Sequence, residues 1–147
     1  MTAPAEPLKR LEQEVSVLIR RIRRVIGLRS RAVHPELQPA SYLMLSYLAD
    51  QGPVRASSMA ETFTIDKGAI SRQVAHLTQL GLVERTQDPD DGRASLVSAS
   101  PAAVARLEEV KEQRRRWIAD RLDDWDPDEL ETFIALLSRY NEALNHV

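Results

Sequence analysis

Between residues 82 and 98 two short runs of strand-forming residues flank a dense turn, Gln87-Asp88-Pro89-Asp90-Asp91-Gly92, and they lie directly behind a helix that Gly81 brings to an end. Leu82-Val83-Glu84-Arg85-Thr86 reads as one strand and Ala94 to Ser98 as its return, so the segment is predicted to be a β-hairpin. Few folds place a lone hairpin behind a helix in a chain otherwise patterned for helices.

Upstream, residues 56–63 (Ala-Ser-Ser-Met-Ala-Glu-Thr-Phe) form a short predicted helix anchored by Met59, Ala60 and Phe63. Thr64 and Ile65 turn the chain, and Asp66 is placed to cap a helix from Lys67 to Leu80. On a wheel of about 100° per residue, Ile70, Val74, Leu77 and Leu80 form an inward stripe. Gly68, Arg72, Ala75 and Gln79 fall on the opposite side, flanked by Ser71 and His76. Two helices, a tight turn and a hairpin make a winged helix-turn-helix.

The outer face of the second helix suits a major groove. Gly68 and Ala75 permit close approach, and Lys67, Ser71, Arg72, His76 and Gln79 can donate to phosphates or base edges, with Arg72 suited to guanine. Any surface helix can look polar on one side; the hairpin behind it favours the DNA reading. Its tip places Arg93 just after Asp91-Gly92, where an arginine can enter the minor groove. Asp91 is expected to hold that guanidinium by a charge-assisted hydrogen bond.

The flanks are helical. Leu8, Leu11, Val15, Leu18, Ile22 and Ile26 stripe a long amphipathic helix, whose other faces carry Arg20, Arg21, Arg23, Arg24, Arg29 and Arg31. That basic run reads either as a solvated face or as a phosphate-contacting end. His34-Pro35-Glu36 breaks the helix, and a second runs from near Gln38 to Gly52, with Pro39 in its first turn and Tyr42, Leu43, Leu45, Leu48 and Ala49 as its buried side. Ser100-Pro101 opens a helix carrying Val104, Leu107, Val110, Trp117, Ile118, Leu122 and Trp125. Asp126-Pro127-Asp128-Glu129 starts the last, close to a capping box, with Leu130, Phe133, Ile134, Leu137, Tyr140 and Leu144 as its stripe. These terminal helices offer more apolar surface than one small domain hides, which points to a homodimer.

With 43 % hydrophobic and 29 % charged residues, the 147-residue chain reads as one globular domain. Its formal charge of −2 is unusual for a nucleic-acid binder. The excess acid is local: residues 1–51 carry eight Lys/Arg against five Asp/Glu, residues 52–100 five against six, and residues 101–147 seven against eleven. DNA binding would therefore rest on a few placed groups. The chain has no cysteine, which excludes disulfides, cysteine zinc sites and thiol sensing. No secretory signal or membrane span is expected, and the cytoplasm is the predicted location.

The blocks Ile70-Ser71-Arg72-Gln73-Val74-Ala75-His76-Leu77, Leu80-Gly81-Leu82-Val83-Glu84-Arg85 and Asp88-Pro89-Asp90-Asp91-Gly92-Arg93 together resemble the MarR family of bacterial regulators. The order of elements matches over essentially the whole chain. Gln38, where the family often has Thr, and Ser98-Ala99-Ser100-Pro101, in place of Leu-Thr, are small departures. The resemblance implies a fold that is mainly α with a small β-hairpin wing, in one domain over 1–147. Residues 8–31 and 101–147 would be dimerisation helices and 38–100 the DNA-binding lobe. It implies a homodimer on double-stranded DNA, with the helix of Ser71 and Arg72 in the major groove and Arg93 in the minor groove. Two such helices about 34 Å apart would require a palindromic operator.

The resemblance further implies a repressor released by a small aromatic or anionic ligand, bound between the dimerisation helices and the DNA-binding lobe. Arg20 or Arg21, Tyr42, Met44, Tyr47 and Trp117 are the candidates to line its site, with core or interface packing as the competing role for each. No metal or other cofactor is expected: His34, His76 and His146 are scattered, and Asp123, Asp124, Asp126 and Asp128 lack zinc or calcium spacing. Nor is an enzyme. No phosphate-cradling glycine loop appears, and Ser71 and His76 do not share a helix face. The remaining alternative is a winged-helix adaptor that binds only protein, which a weak salt dependence would reveal.

Overall fold

The computed structural model describes residues 4–145; His146 lies outside them. Six helices and three short strands follow in the order α1 (Ala5–Val33), α2 (Pro39–Gln51), β1 (Val54–Arg55), α3 (Ala56–Phe63), α4 (Lys67–Gln79), β2 (Val83–Gln87), β3 (Ser95–Ala99), α5 (Pro101–Arg121) and α6 (Pro127–Leu144). The fold is mainly helical with a small antiparallel sheet, as expected. It divides into two compact units, residues 1–110 and 111–147.

The first unit is built around α2, which packs against both α1 and β3. Being covered on two sides, α2 buries Tyr42, Met44, Leu45 and Leu48, a wider arc than a single stripe. Leu43, expected inside, is 48 % exposed, and Met44 takes the core position instead. Met59 of α3, Ile70, Val74 and Leu77 of α4, Val97 of β3 and Leu107 of α5 complete the same cluster. Pro39 occupies the first turn of α2, and Gly52 ends it at φ 74°.

The hairpin supplies two strands of a three-stranded sheet, β1 being the third. Its order is β1-β3-β2, with Val54 opposite Val97 and Arg55 opposite Leu96. The two hairpin strands begin one residue later than expected, pairing Val83 with Ala99 through Gln87 with Ser95. Leu82 is occupied by the end of α4: its N–H donates to the Leu77 carbonyl (3.0 Å) and the Gly81 N–H to Thr78 (3.1 Å), with Gly81 at φ 73°. This is a Schellman closure, which needs a left-handed residue at Gly81. Ala94 likewise belongs to the turn, donating to the Asp91 carbonyl at 3.0 Å.

Ser100 joins these elements. Its Oγ donates to the Gly81 carbonyl (2.8 Å) and accepts from the Ala103 N–H (3.2 Å), while its own N–H donates to Leu82 (2.9 Å). It caps α5 and ties the end of α4 to the end of the sheet in one step. Ala103, Leu107 and Val110 anchor that end of α5; Val104 is exposed.

In the second unit, α6 begins with a complete capping box. Asp126 Oδ1 accepts from the Asp128 N–H (3.1 Å), and Glu129 Oε2 accepts from the Asp126 N–H (3.0 Å). Trp125 and Phe133 meet edge to face with ring centroids 5.8 Å apart. No residue of α6 is buried: Ile134 and Leu136 are 51 % and 54 % exposed, and Phe133 and Leu137 are also open. In the first unit, Leu8, Leu11, Leu18 and Ile22 of α1 are exposed in the same manner. No described helix is long and apolar enough to cross a membrane.

Candidate nucleic-acid interface

The helix-turn-helix is α3 and α4. Thr64 turns between them in the left-handed region (φ 52°), and its N–H closes onto Ala60 and Glu61. Asp66 caps α4 by accepting the Ala69 N–H at 2.9 Å. With Ile70, Val74 and Leu77 fixed in the core, the opposite face is set by helical geometry. Lys67, Gly68, Ser71, Arg72, Ala75 and Gln79 are all exposed there, and His76 is half-buried. The expected outer face is therefore present, with His76 turned partly inward.

Gly68 has a local duty besides giving a clear approach. A Cβ at this position would lie 3.0 Å from the Asp66 cap oxygen and 3.4 Å from Arg72 Nη1. The Arg72 side chain thus runs back along α4 toward its N-terminus, as helical side chains do. Its cation therefore lies near the start of α4, an arrangement suited to a phosphate or a base edge.

The hairpin tip is pinned at each step. Asp88 N–H donates to Ala94 (3.1 Å), Asp90 N–H to Asp88 Oδ1 (2.9 Å), Arg93 N–H to Asp91 Oδ1 (3.0 Å) and Gln87 Nε2 to the Gly92 carbonyl (2.9 Å). Asp91 thus holds the Arg93 backbone and not its guanidinium, correcting the expected side-chain pair. A carboxylate two positions before an N–H closes an Asx turn more readily than it folds a long arginine back. Arg93 remains exposed at the tip.

The wing also carries an ion pair between residues far apart in the chain, which no local sequence pattern links. Arg55 Nε donates to Asp88 Oδ2 at 2.7 Å, with the Asp88 side chain only 7 % exposed. The Asp90 N–H and the Arg55 guanidinium hold the Asp88 carboxyl below the ordinary aspartate range, against the opposing effect of burial. A shallow recess of about 300 Å³ beside the interface is lined by Ser57, Ser58, Glu61 and Lys67.

The residues considered for a ligand have individual packing environments. Tyr42 is closed in the core with Met44. Tyr47 meets Phe63 edge to face at 5.2 Å. Arg20 borders a shallow recess on α1 with Lys9, Glu12 and Ser16, and Arg21 is exposed. In the second unit the Arg121 guanidinium lies 3.9 Å from the centroid of Trp117. A recess of about 680 Å³ in that unit is formed by other residues, among them Asp124, Trp125, Asp128 and Phe133.

A capped helix exposed behind a tight turn, followed by a pinned hairpin, defines a winged helix-turn-helix of the DNA-binding kind. The sequence signature of the MarR family matches residues 36–94, from just before α2 to the turn of the hairpin. The HTH-type transcriptional regulator YxaD of Bacillus subtilis is 34 % identical, over 93 % of this chain and 94 % of its own length. YdgJ of the same organism, also an HTH-type transcriptional regulator, is 26 % identical over 92 % of this chain and 82 % of its own. Among solved structures, Rv1404 of Mycobacterium tuberculosis superposes with a TM-score of 0.81 at 20 % identity, covering 99 % of this chain and 97 % of that one. A crystal structure of MarR gives 0.70 at 23 % identity, covering 93 % and 98 %.

This chain belongs to the MarR family. It is a transcriptional regulator with a DNA-binding helix-turn-helix, and not an enzyme.

Proposed function

We propose that this protein is a homodimeric, cytoplasmic repressor of transcription that binds a palindromic operator, with α4 in the major groove and Arg93 in the minor groove. The observation that carries this reading is the joint placement of an exposed, small-and-basic α4 face and an exposed Arg93 on a hairpin whose turns are all hydrogen-bonded. Lys67, Ser71, Arg72, His76 and Gln79 supply donors, Gly68 and Ala75 supply clearance, and Asp91 sets the backbone from which Arg93 projects. Pairing of two copies is supported by the uncovered apolar faces of α1 and α6.

Release is assigned to a small aromatic or anionic molecule that favours a dimer whose recognition helices are wrongly spaced for the operator. In the first unit its proposed contacts are Arg20 and Tyr47, which are not buried, whereas Tyr42 is closed in the core.

The test is capture of genomic DNA by the purified protein, then titration of one recovered fragment at two salt concentrations. Wild type is expected to enrich a palindromic site, and its affinity to fall steeply with salt. Arg93→Ala should lose at least about tenfold. Absence of any enriched fragment, or wild-type affinity in the variant, would overturn the reading and favour a protein-binding adaptor.

A further inference from the structure

We infer that Arg55 is a positioning residue for DNA binding: through Asp88 it fixes where the wing carries Arg93 relative to the helix-turn-helix. The inference rests on the proposed minor-groove role of Arg93 and deepens it.

Arg55 immediately precedes α3 and is the second residue of β1. It therefore belongs to the start of the helix-turn-helix. Asp88 is the first residue after β2, at the root of the wing tip. The two are 33 positions apart in the chain, yet Nε and Oδ2 are separated by 2.7 Å. The two oxygens of Asp88 have separate partners. Oδ1 takes the Asp90 N–H inside the tip, while Oδ2 takes Arg55 outside it. One rigid, nearly buried carboxylate thus connects the turn that leads to Arg93 with the segment that leads into α3.

Strand pairing alone leaves this connection weak. β1 has two residues, and its pairing with β3 ends at Leu96, short of the tip. A hairpin held at its base by so short a strand can swing about its long axis. The Arg55–Asp88 bond acts beyond the last β1 pair and opposes that swing. Arg55 itself is 46 % exposed, so its replacement leaves the hydrophobic core untouched. Asp88 cannot serve the same purpose in a test, because its other oxygen shapes the tip.

Two arms test the inference on the full-length protein. In the first, without DNA, hydrogen exchange at the Asp88, Asp90 and Ala94 amides is compared in wild type and Arg55→Gln. Exchange is expected to speed up several-fold at these amides and to stay unchanged at Val74 and Leu77 of α4. Unchanged tip exchange would overturn the inference without touching the DNA-binding reading.

In the second arm, Arg55→Gln, Arg93→Ala and the double variant are titrated with the recovered DNA fragment. Arg55→Gln should weaken binding about tenfold in the wild-type background and little in the Arg93→Ala background. Arg55→Lys, which keeps the charge but loses the planar Nε geometry, should restore only part of the loss. Losses that multiply in the double variant would mean that Arg55 acts independently of Arg93, and would overturn the inference alone. Arg93→Ala binding as well as wild type would overturn the wing reading and the inference together.

Discussion

Asp88 shows how much of this interface depends on one carboxylate being charged. Its pKa is depressed in the folded protein by the Asp90 N–H and by Arg55. A carboxyl with a lowered folded pKa contributes stability that is present above its unfolded value, about 4, and lost as the pH falls through the folded value. Asp88→Asn keeps the shape but cannot ionise. Wild type should therefore be more stable than Asp88→Asn at neutral pH, and the gap should close in acid below about pH 4. Urea unfolding of both proteins from pH 7 to pH 2.5 measures it; a gap independent of pH would show that the charge contributes nothing.

At the scale of elements, the corner where α4 ends, the sheet ends and α5 begins converges on Ser100. Removing its hydroxyl leaves the Gly81 carbonyl and the Ala103 N–H without their partner at a buried position. Ser100→Ala should cost about 2 kcal/mol, most of it from the orphaned groups and the lost cap. Chemical denaturation would show it as a lower midpoint with an unchanged slope, and a shift smaller than about 0.5 kcal/mol would argue against a structural role for the corner.

What could be read in the sequence here was whatever depends on near neighbours. The Asp66 cap, the Asp126–Glu129 box and the stripe of Ile70, Val74 and Leu77 act over three or four residues and were found where expected. Leu80, read as the end of that stripe, is the half-buried C-cap of α4. β1 was missed because two residues carry no period. Leu43 was misplaced because α2 is covered on two sides, which a single stripe cannot express. The strand bounds moved by one residue because Leu82 closes α4 and Ala94 belongs to the turn. Arg55 escaped selection for the same reason as any long-range partner: nothing near it in the chain points to Asp88. The geometry of the candidate site was thus legible where it lies on one helix face, and illegible where two distant segments meet.

At the scale of the whole molecule, α1 and α6 leave large apolar residues exposed, among them Leu18, Ile22, Ile134 and Leu136. Burying large apolar side chains against a second copy would contribute about 1.5–3 kcal/mol each. Ile134→Glu should therefore shift the protein from two copies to one in sedimentation equilibrium while its far-ultraviolet circular dichroism keeps the helical signal. Retained pairing in this variant would place the interface elsewhere. A monomeric wild type would refute pairing altogether.

That the wing and α6 belong to different compact units has a genetic consequence. A chain damaged at Arg93 or Arg55 keeps an intact α6 face. Expressed beside the normal chain, it would enter mixed pairs, each with one working wing. With the proposed operator binding, in which a pair uses both halves, such lesions should be dominant, silencing more regulator than their own share. A chain damaged at Ile134, on the proposed pairing face, would not enter those pairs and should be recessive. In a merodiploid strain, the strength of interference by each allele would map which residues face DNA and which face the partner.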